Sequence, residues 1–83
     1  MGRPNSSYFK PAGIPMRGLK EIVVTMPEFE AIRLVDVVGK SQTEASSQMK
    51  ISQPTFSRIL DSARKKIAEA LVKGYAIRID REE

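Results

Sequence analysis

The apolar positions of this chain fall into a short β-branched run, a broad helical face and a long helical stripe, separated by residues that start or stop helices. Residues 19–25, Leu-Lys-Glu-Ile-Val-Val-Thr, predict a strand. Thr25-Met26-Pro27-Glu28 then fits a capping box. The Thr25 hydroxyl accepts from the Glu28 amide while the Glu28 carboxylate reaches back, and Pro27 is tolerated in a first turn whose N–H has no partner anyway. The helix this opens is expected to run to about Val38. Residues 30, 33 and 36 line its polar side, and Phe29, Ile32, Leu34, Val35, Val37 and Val38 cover the rest, a face wide enough to be held on several sides. Gly39 is placed to end it in the left-handed conformation.

A second capping box, Ser41-Gln42-Thr43-Glu44, follows at once and opens a short helix to about Met49, with Ala45, Ser46 and Met49 inward. Residues 50–52 form a tight connection. Ser52 is a good N-cap for a third helix with Pro54 in its first turn. Phe56, Ile59, Leu60, Ala63, Ile67 and Leu71 recur at helical spacing as far as Lys73, and Gly74 closes the helix. Tyr75 to Ile79 alternate and read as a second short strand. The runs at 20–25 and 75–79 can pair, since neither is stable alone. Residues 1–18 hold three prolines (Pro4, Pro11, Pro15) and three glycines (Gly2, Gly13, Gly18), which predicts an extended, irregular segment. Its Tyr8, Phe9, Ile14 and Met16 are available to pack on a core. The fold class this gives is mainly α: a tri-helical helix-turn-helix domain over 19–83, its motif at 41–60, with an extended N-terminal segment at 1–18 and two short flanking strands.

The 41–60 segment meets the demands of a helix-turn-helix. Ser46, with Ala45 beside it, supplies the small residue needed where two helices cross. Met49 and Ile51 plug the turn, and Phe56 and Ile59 begin the buried stripe of the second helix. At about 100° per residue, Pro54, Arg58, Asp61 and Lys65 point away from that stripe, flanked by Thr55 and Ser57, with Gln53 in the first turn. Such a free polar face can enter a DNA major groove. Gln pairs with adenine, Arg with guanine, and Ser or Thr with base edges or phosphates. Gln53, Thr55, Ser57 and Arg58 are therefore the candidate base-reading residues. Ser41, Gln42, Thr43, Lys50, Arg64 and Lys65 are the candidate phosphate contacts, the first three because a helix N-terminus favours an anion. Plainer readings stand beside these: Arg58 pairing with Asp61 or Ser62, Asp61 pairing with Lys65 at i+4, and Arg64-Lys65-Lys66 as a solvated helix face.

Composition narrows the function further. Eighty-three residues, 41% hydrophobic and 29% charged, make one domain with one modest core, and the mean hydropathy of −0.29 leaves no stretch fit to span a bilayer. The chain has no cysteine and no histidine, which removes thiolate chemistry, the usual zinc ligands and the commonest general base. No catalytic site, metal or cofactor is expected; Glu28, Glu30 and Asp36 are paired carboxylates in spacing only. The net charge is +4. It is concentrated in residues 1–25, where Arg3, Lys10, Arg17 and Lys20 against Glu21 give +3, and in the cluster Arg64-Lys65-Lys66 of the third helix. Duplex DNA is the first partner such a balance suggests, and a cytoplasmic location without a membrane partner is expected. A homodimer is a further expectation, because a monomer reads about one half-site. The strand pieces at 20–25 and 75–79, with the Tyr75–Ile79 edge, are its candidate contacts.

Gly2-Arg3-Pro4, Phe9-Lys10-Pro11-Ala12-Gly13, Glu30-Ala31-Ile32-Arg33-Leu34, Ser52-Gln53-Pro54-Thr55-Phe56 and Ala63-Arg64-Lys65-Lys66 together resemble the prokaryotic family of predicted DNA-binding proteins called domain of unknown function 134. Residues 28–73 also resemble the region 4 helix-turn-helix of sigma-70 factors. These resemblances imply a tri-helical DNA-binding domain with a role in transcription and no enzyme activity. The chain departs from the family in two places. Asn5-Ser6-Ser7 leads straight to Tyr8 where a basic run is common, and Gln53 stands where a basic residue is common. The Gly2-Arg3-Pro4 triplet is similar to the core of minor-groove hooks, but no arginine precedes it, and a disordered start is the plainer reading. The rival to DNA binding is a protein-interaction module docking on a transcription-machinery partner.

Overall fold

The computed structural model describes residues 6–13 and 18–81. The elements, in chain order, are strand β1 (Ser6–Phe9), strand β2 (Glu21–Val24), helix α1 (Met26–Ile32) continued by a π-helical segment (Arg33–Val38), helix α2 (Gln42–Met49), helix α3 (Gln53–Lys73) and strand β3 (Ala76–Asp80). Three helices stand beside a three-stranded sheet.

The helix boundaries follow the caps. Thr25 and Ser41 both form complete capping boxes, with Glu28 and Glu44 as their reciprocal partners. Ser52 accepts from the Thr55 amide, with proline in the first turn of α3. Gly39 and Gly74 end their helices at φ 95° and 73°, a region where a Cβ is strained.

The sheet has the order β1-β3-β2. β2 and β3 run parallel, Glu21 opposite Ala76 and Val24 opposite Ile79, so the expected pair of strands forms. β1 was not expected. It lies antiparallel to β3, Ser6 opposite Asp80 and Phe9 opposite Ile77. The breakers around it, Pro4 and Pro11 among them, mask a four-residue strand whose partner lies some 70 residues further along the chain. β3 is therefore the central strand. The Tyr75–Ile79 segment presents no free edge, and the outer strands are β1 and β2.

One buried cluster joins the helices: Ala31, Leu34, Ala45, Phe56 and Leu60, with Ile32, Val35, Met49, Ile51 and Ile59 packed on it. Ala45, Ser46, Met49 and Ile51 thus take the inward and turn-plugging positions expected of them. On its other side α3 packs against the sheet, where Ala63, Ala70, Val24, Ala76 and Ile79 are buried.

Three apolar expectations fail. Leu71 is 76% exposed while Ala70, one residue and about 100° away, is buried: the sheet covers the Ala70 side of the helix end. Val37 and Val38 are also exposed. The π segment closes i→i+5 bonds, so its wider turn shifts the phase of the face after Ile32 and leaves both outside the core. Tyr8 and Phe9 are exposed on β1. Ile14, Met16 and the Gly2-Arg3-Pro4 triplet lie outside the described residues. No helix among the described residues is long and apolar enough to cross a membrane.

Candidate nucleic-acid interface

α2 ends in a left-handed Lys50 (φ 60°, ψ 43°), and α3 starts three residues later. The Ile51 amide closes the turn on the Ser46 carbonyl at 3.0 Å. The hydroxyl of Ser57, in the second turn of α3, donates to Gln42 Oε1 at 3.0 Å, at the first residue of α2. Two residues expected to touch DNA in different ways, Ser57 by base edges and Gln42 by phosphate, are thereby locked to each other. The N-terminus of α2 is held against the start of α3.

The other candidates divide by what already holds them. Thr55 is half-buried, and its hydroxyl accepts from Ser52 Oγ at 3.0 Å, so it belongs to the cap more than to the free face. The Ser41 hydroxyl accepts from the Glu44 amide at 3.0 Å, and the Ser41 amide donates to Glu44 Oε1 at the same distance. These bonds, the backbone one first, hold the Glu44 carboxyl below its ordinary pKa, which leaves an anion in the first turn of α2. Thr43 is exposed, and its carbonyl accepts from Ser46 Oγ at 3.0 Å. Gln53 and Arg58 are exposed, and their side chains make no hydrogen bond or ion pair with the described residues. Asp61, expected to pair with Arg58 or Lys65, makes neither ion pair.

The basic cluster of α3 does not act as a unit. The Arg64 guanidinium grips Asp36 of the π segment with two hydrogen bonds, Nε to Oδ2 at 3.1 Å and Nη2 to Oδ1 at 2.7 Å. That grip holds the Asp36 carboxyl below and the Arg64 guanidinium above their usual pKa values. Lys66 points inward: its Nζ donates to Glu28 Oε1 at 2.9 Å and to the Val23 carbonyl at 2.8 Å. Ser62 adds a hydrogen bond to Glu28 Oε2 at 2.6 Å. Burial alone raises the Glu28 pKa, but the bonds from Lys66, Ser62 and the Thr25 amide, with the Lys66 charge, lower it more in sum. Only Lys65 of the three stays free.

Pairing removes cations elsewhere as well. Arg33 is bonded to Glu30, Lys73 to Glu69 and Arg78 to Glu21. Arg81 lies 4.7 Å from the Phe29 ring centre, Lys20 lies 5.9 Å from that of Tyr75, and Lys10 is also engaged. Among the described residues, the cations whose side chains make no hydrogen bond, ion pair or ring contact are Lys40, which is half-buried and acts on the Glu44 charge, Lys50, Arg58 and Lys65. Each lies on α3, in the turn before it, or beside the cap of α2. Lys40 was missed at the sequence level, and its place directly before the Ser41 cap is the signal that marks it. No group of acidic residues among those described can hold a metal ion.

The family described as protein of unknown function DUF134 matches residues 1–83. The chain is 56% identical over 77 residues to a UPF0251 protein of Caldanaerobacter subterraneus subsp. tengcongensis, which covers 93% of this chain and 65% of that protein. A UPF0251 protein of Thermoanaerobacter sp. is 53% identical over 77 residues, covering 93% and 68%. One from Moorella thermoacetica is 52% identical over 77 residues, covering 93% and 52%. The chain thus spans between half and about two thirds of the length of these relatives. No solved structure matches it.

Proposed function

The chain belongs to the family described as protein of unknown function DUF134, and from the charge distribution over its α2–α3 unit we propose that it binds duplex DNA sequence-specifically through a helix-turn-helix, as a transcriptional regulator. The observation that carries this reading is the selective pairing of cations. Arg33, Arg78, Lys20 and Arg81 outside this unit, and Arg64, Lys66 and Lys73 on α3, are bonded to acids or set on rings, while the side chains of Lys40, Lys50, Arg58 and Lys65 in or beside it make no such bond. The cations left without an internal partner are those a phosphate backbone can use without first breaking a pair.

Each group has a role in this reading. Gln53 and Arg58, at the start of α3, meet base edges in the major groove. Lys50 and Lys65 hold phosphates at either end of the contact, and Lys40 with the free amides at the start of α2 holds a third. Ser57 and Gln42 tie α2 to α3 and fix the angle at which α3 is offered. The resemblance of residues 28–73 to the region 4 helix-turn-helix of sigma-70 factors supports the same reading.

A fluorescence-anisotropy titration of a random-sequence duplex at rising salt tests the proposal. Three phosphate contacts give a slope of log affinity against log salt of roughly −3 for a monomer, and a fourth brings it to roughly −4. Absence of binding at low salt would move the function to docking on a transcription-machinery protein.

A further inference from the structure

Arg64 stands on the exposed side of α3, directly before Lys65, yet its fork is filled by Asp36 from the π segment, 28 residues earlier in the chain. The pair closes no buried gap: the two side chains are 46% and 37% exposed. Beside it Asp61, Arg64, Lys65 and Ala68 line an open depression of about 430 Å3. An ion pair in that setting is screened and weakly held. A phosphate offers the same two-oxygen geometry with more charge, and guanidinium suits it as well as it suits a carboxylate.

Building on the DNA-binding reading, we propose that Asp36 is a built-in competitor of the DNA backbone for Arg64: it holds the guanidinium in the free protein and gives it up to a phosphate when duplex DNA seats on α3. The exchange weakens binding to every sequence alike, because the carboxylate must be displaced whatever bases lie beneath. It acts on the sequence-independent part of the affinity. The ratio of specific to non-specific binding is left unchanged, since both are weakened by the same factor.

The test uses Asp36→Asn, Arg64→Ala and the double variant on two duplexes, one of random sequence and one selected from a random pool, at low salt. Asp36→Ser serves as a second probe, and circular dichroism confirms the fold of each. Removing the competitor should tighten binding to both duplexes about fivefold, with the gain shrinking as salt rises. Arg64→Ala should weaken both, and Asp36→Asn should bring no gain once Arg64 is absent. Unchanged affinity in both Asp36 variants overturns the exchange, as does a gain that survives Arg64→Ala, since that is a diffuse charge effect. If the wild-type protein binds no duplex at all, the DNA reading fails and the exchange with it; if it binds and only the Asp36 variants are silent, the exchange alone fails.

Discussion

Among the described residues, Lys50 alone combines a side chain with a positive φ. Its left-handed conformation at the end of α2 suits glycine, which here would relieve strain at the cost of a freer unfolded chain. Under the proposed function, a lysine at that position acts through its charge. Lys50→Gly should therefore separate the two roles. Stability should rise by about 0.5–1 kcal/mol, while affinity for every duplex falls severalfold. Denaturant melts and an anisotropy titration corrected for folded fraction would read both; equal affinity per folded molecule would leave Lys50 a turn residue only. Its charge was already a candidate phosphate contact in the sequence, but its left-handed conformation was not legible, because residues 50–52 read simply as a tight connection. The Thr25, Ser41 and Ser52 caps, by contrast, were plain from spacing, since a cap is satisfied within four residues.

At the scale of elements, α3 is two surfaces back to back. Phe56, Leu60 and Ala63 bind it to the core, and Ala70 to the sheet; Gln53, Arg58 and Lys65 stand on the other side. If its N-terminal turns enter the groove, Gln53→Ala and Arg58→Ala should each remove about 1–3 kcal/mol of discrimination at one or two base pairs. Lys65→Ala, further along the helix, should weaken all sequences alike. Selecting preferred sequences from a random pool with each variant decides it: an altered preference with Lys65→Ala and none with Gln53→Ala or Arg58→Ala would reverse the assumed orientation of α3. The polar face of α3 was legible from periodicity. The fates of Thr55 and Ser57 were not, because one folds back on its cap and the other reaches a residue fifteen positions away.

Over the whole molecule, Glu28 is the point at which separate parts meet. It is 7% exposed. Its carboxylate joins the cap of α1 to Ser62 and Lys66 of α3, and Lys66 continues to the end of β2. The folded state lowers its pKa, so the unfolded chain binds the proton more readily as the solution is acidified. The stabilisation is thus complete above the ordinary carboxylate value, about pH 4.5, and is lost as pH falls through the lower folded-state value. Glu28→Gln should cost about 2 kcal/mol at neutral pH, since it strands a half-buried ammonium, and should flatten the acid limb of stability against pH. Urea melts between pH 7 and pH 3 measure this; an acid limb as steep in the variant as in the wild type would assign the pH dependence to other groups.

What the sequence by itself determined is local. The three helices, their starts at Thr25, Ser41 and Ser52, their stops at Gly39 and Gly74, and the β2 and β3 runs all rest on interactions within a few residues, for which spacing and residue type suffice. The candidate face of α3 was legible for the same reason. Tertiary structure alone decided the third strand, the central place of β3, the burial of Ala70 over Leu71 and the choice of cations left unpaired. Most of these depend on a partner far away in the chain, Asp80 for Ser6, Asp36 for Arg64 and Glu28 for Lys66, while Arg33–Glu30 and Lys73–Glu69 pair within one helical turn. A charge or an apolar side chain carries no mark of its distant neighbour, and only packing brings the two together.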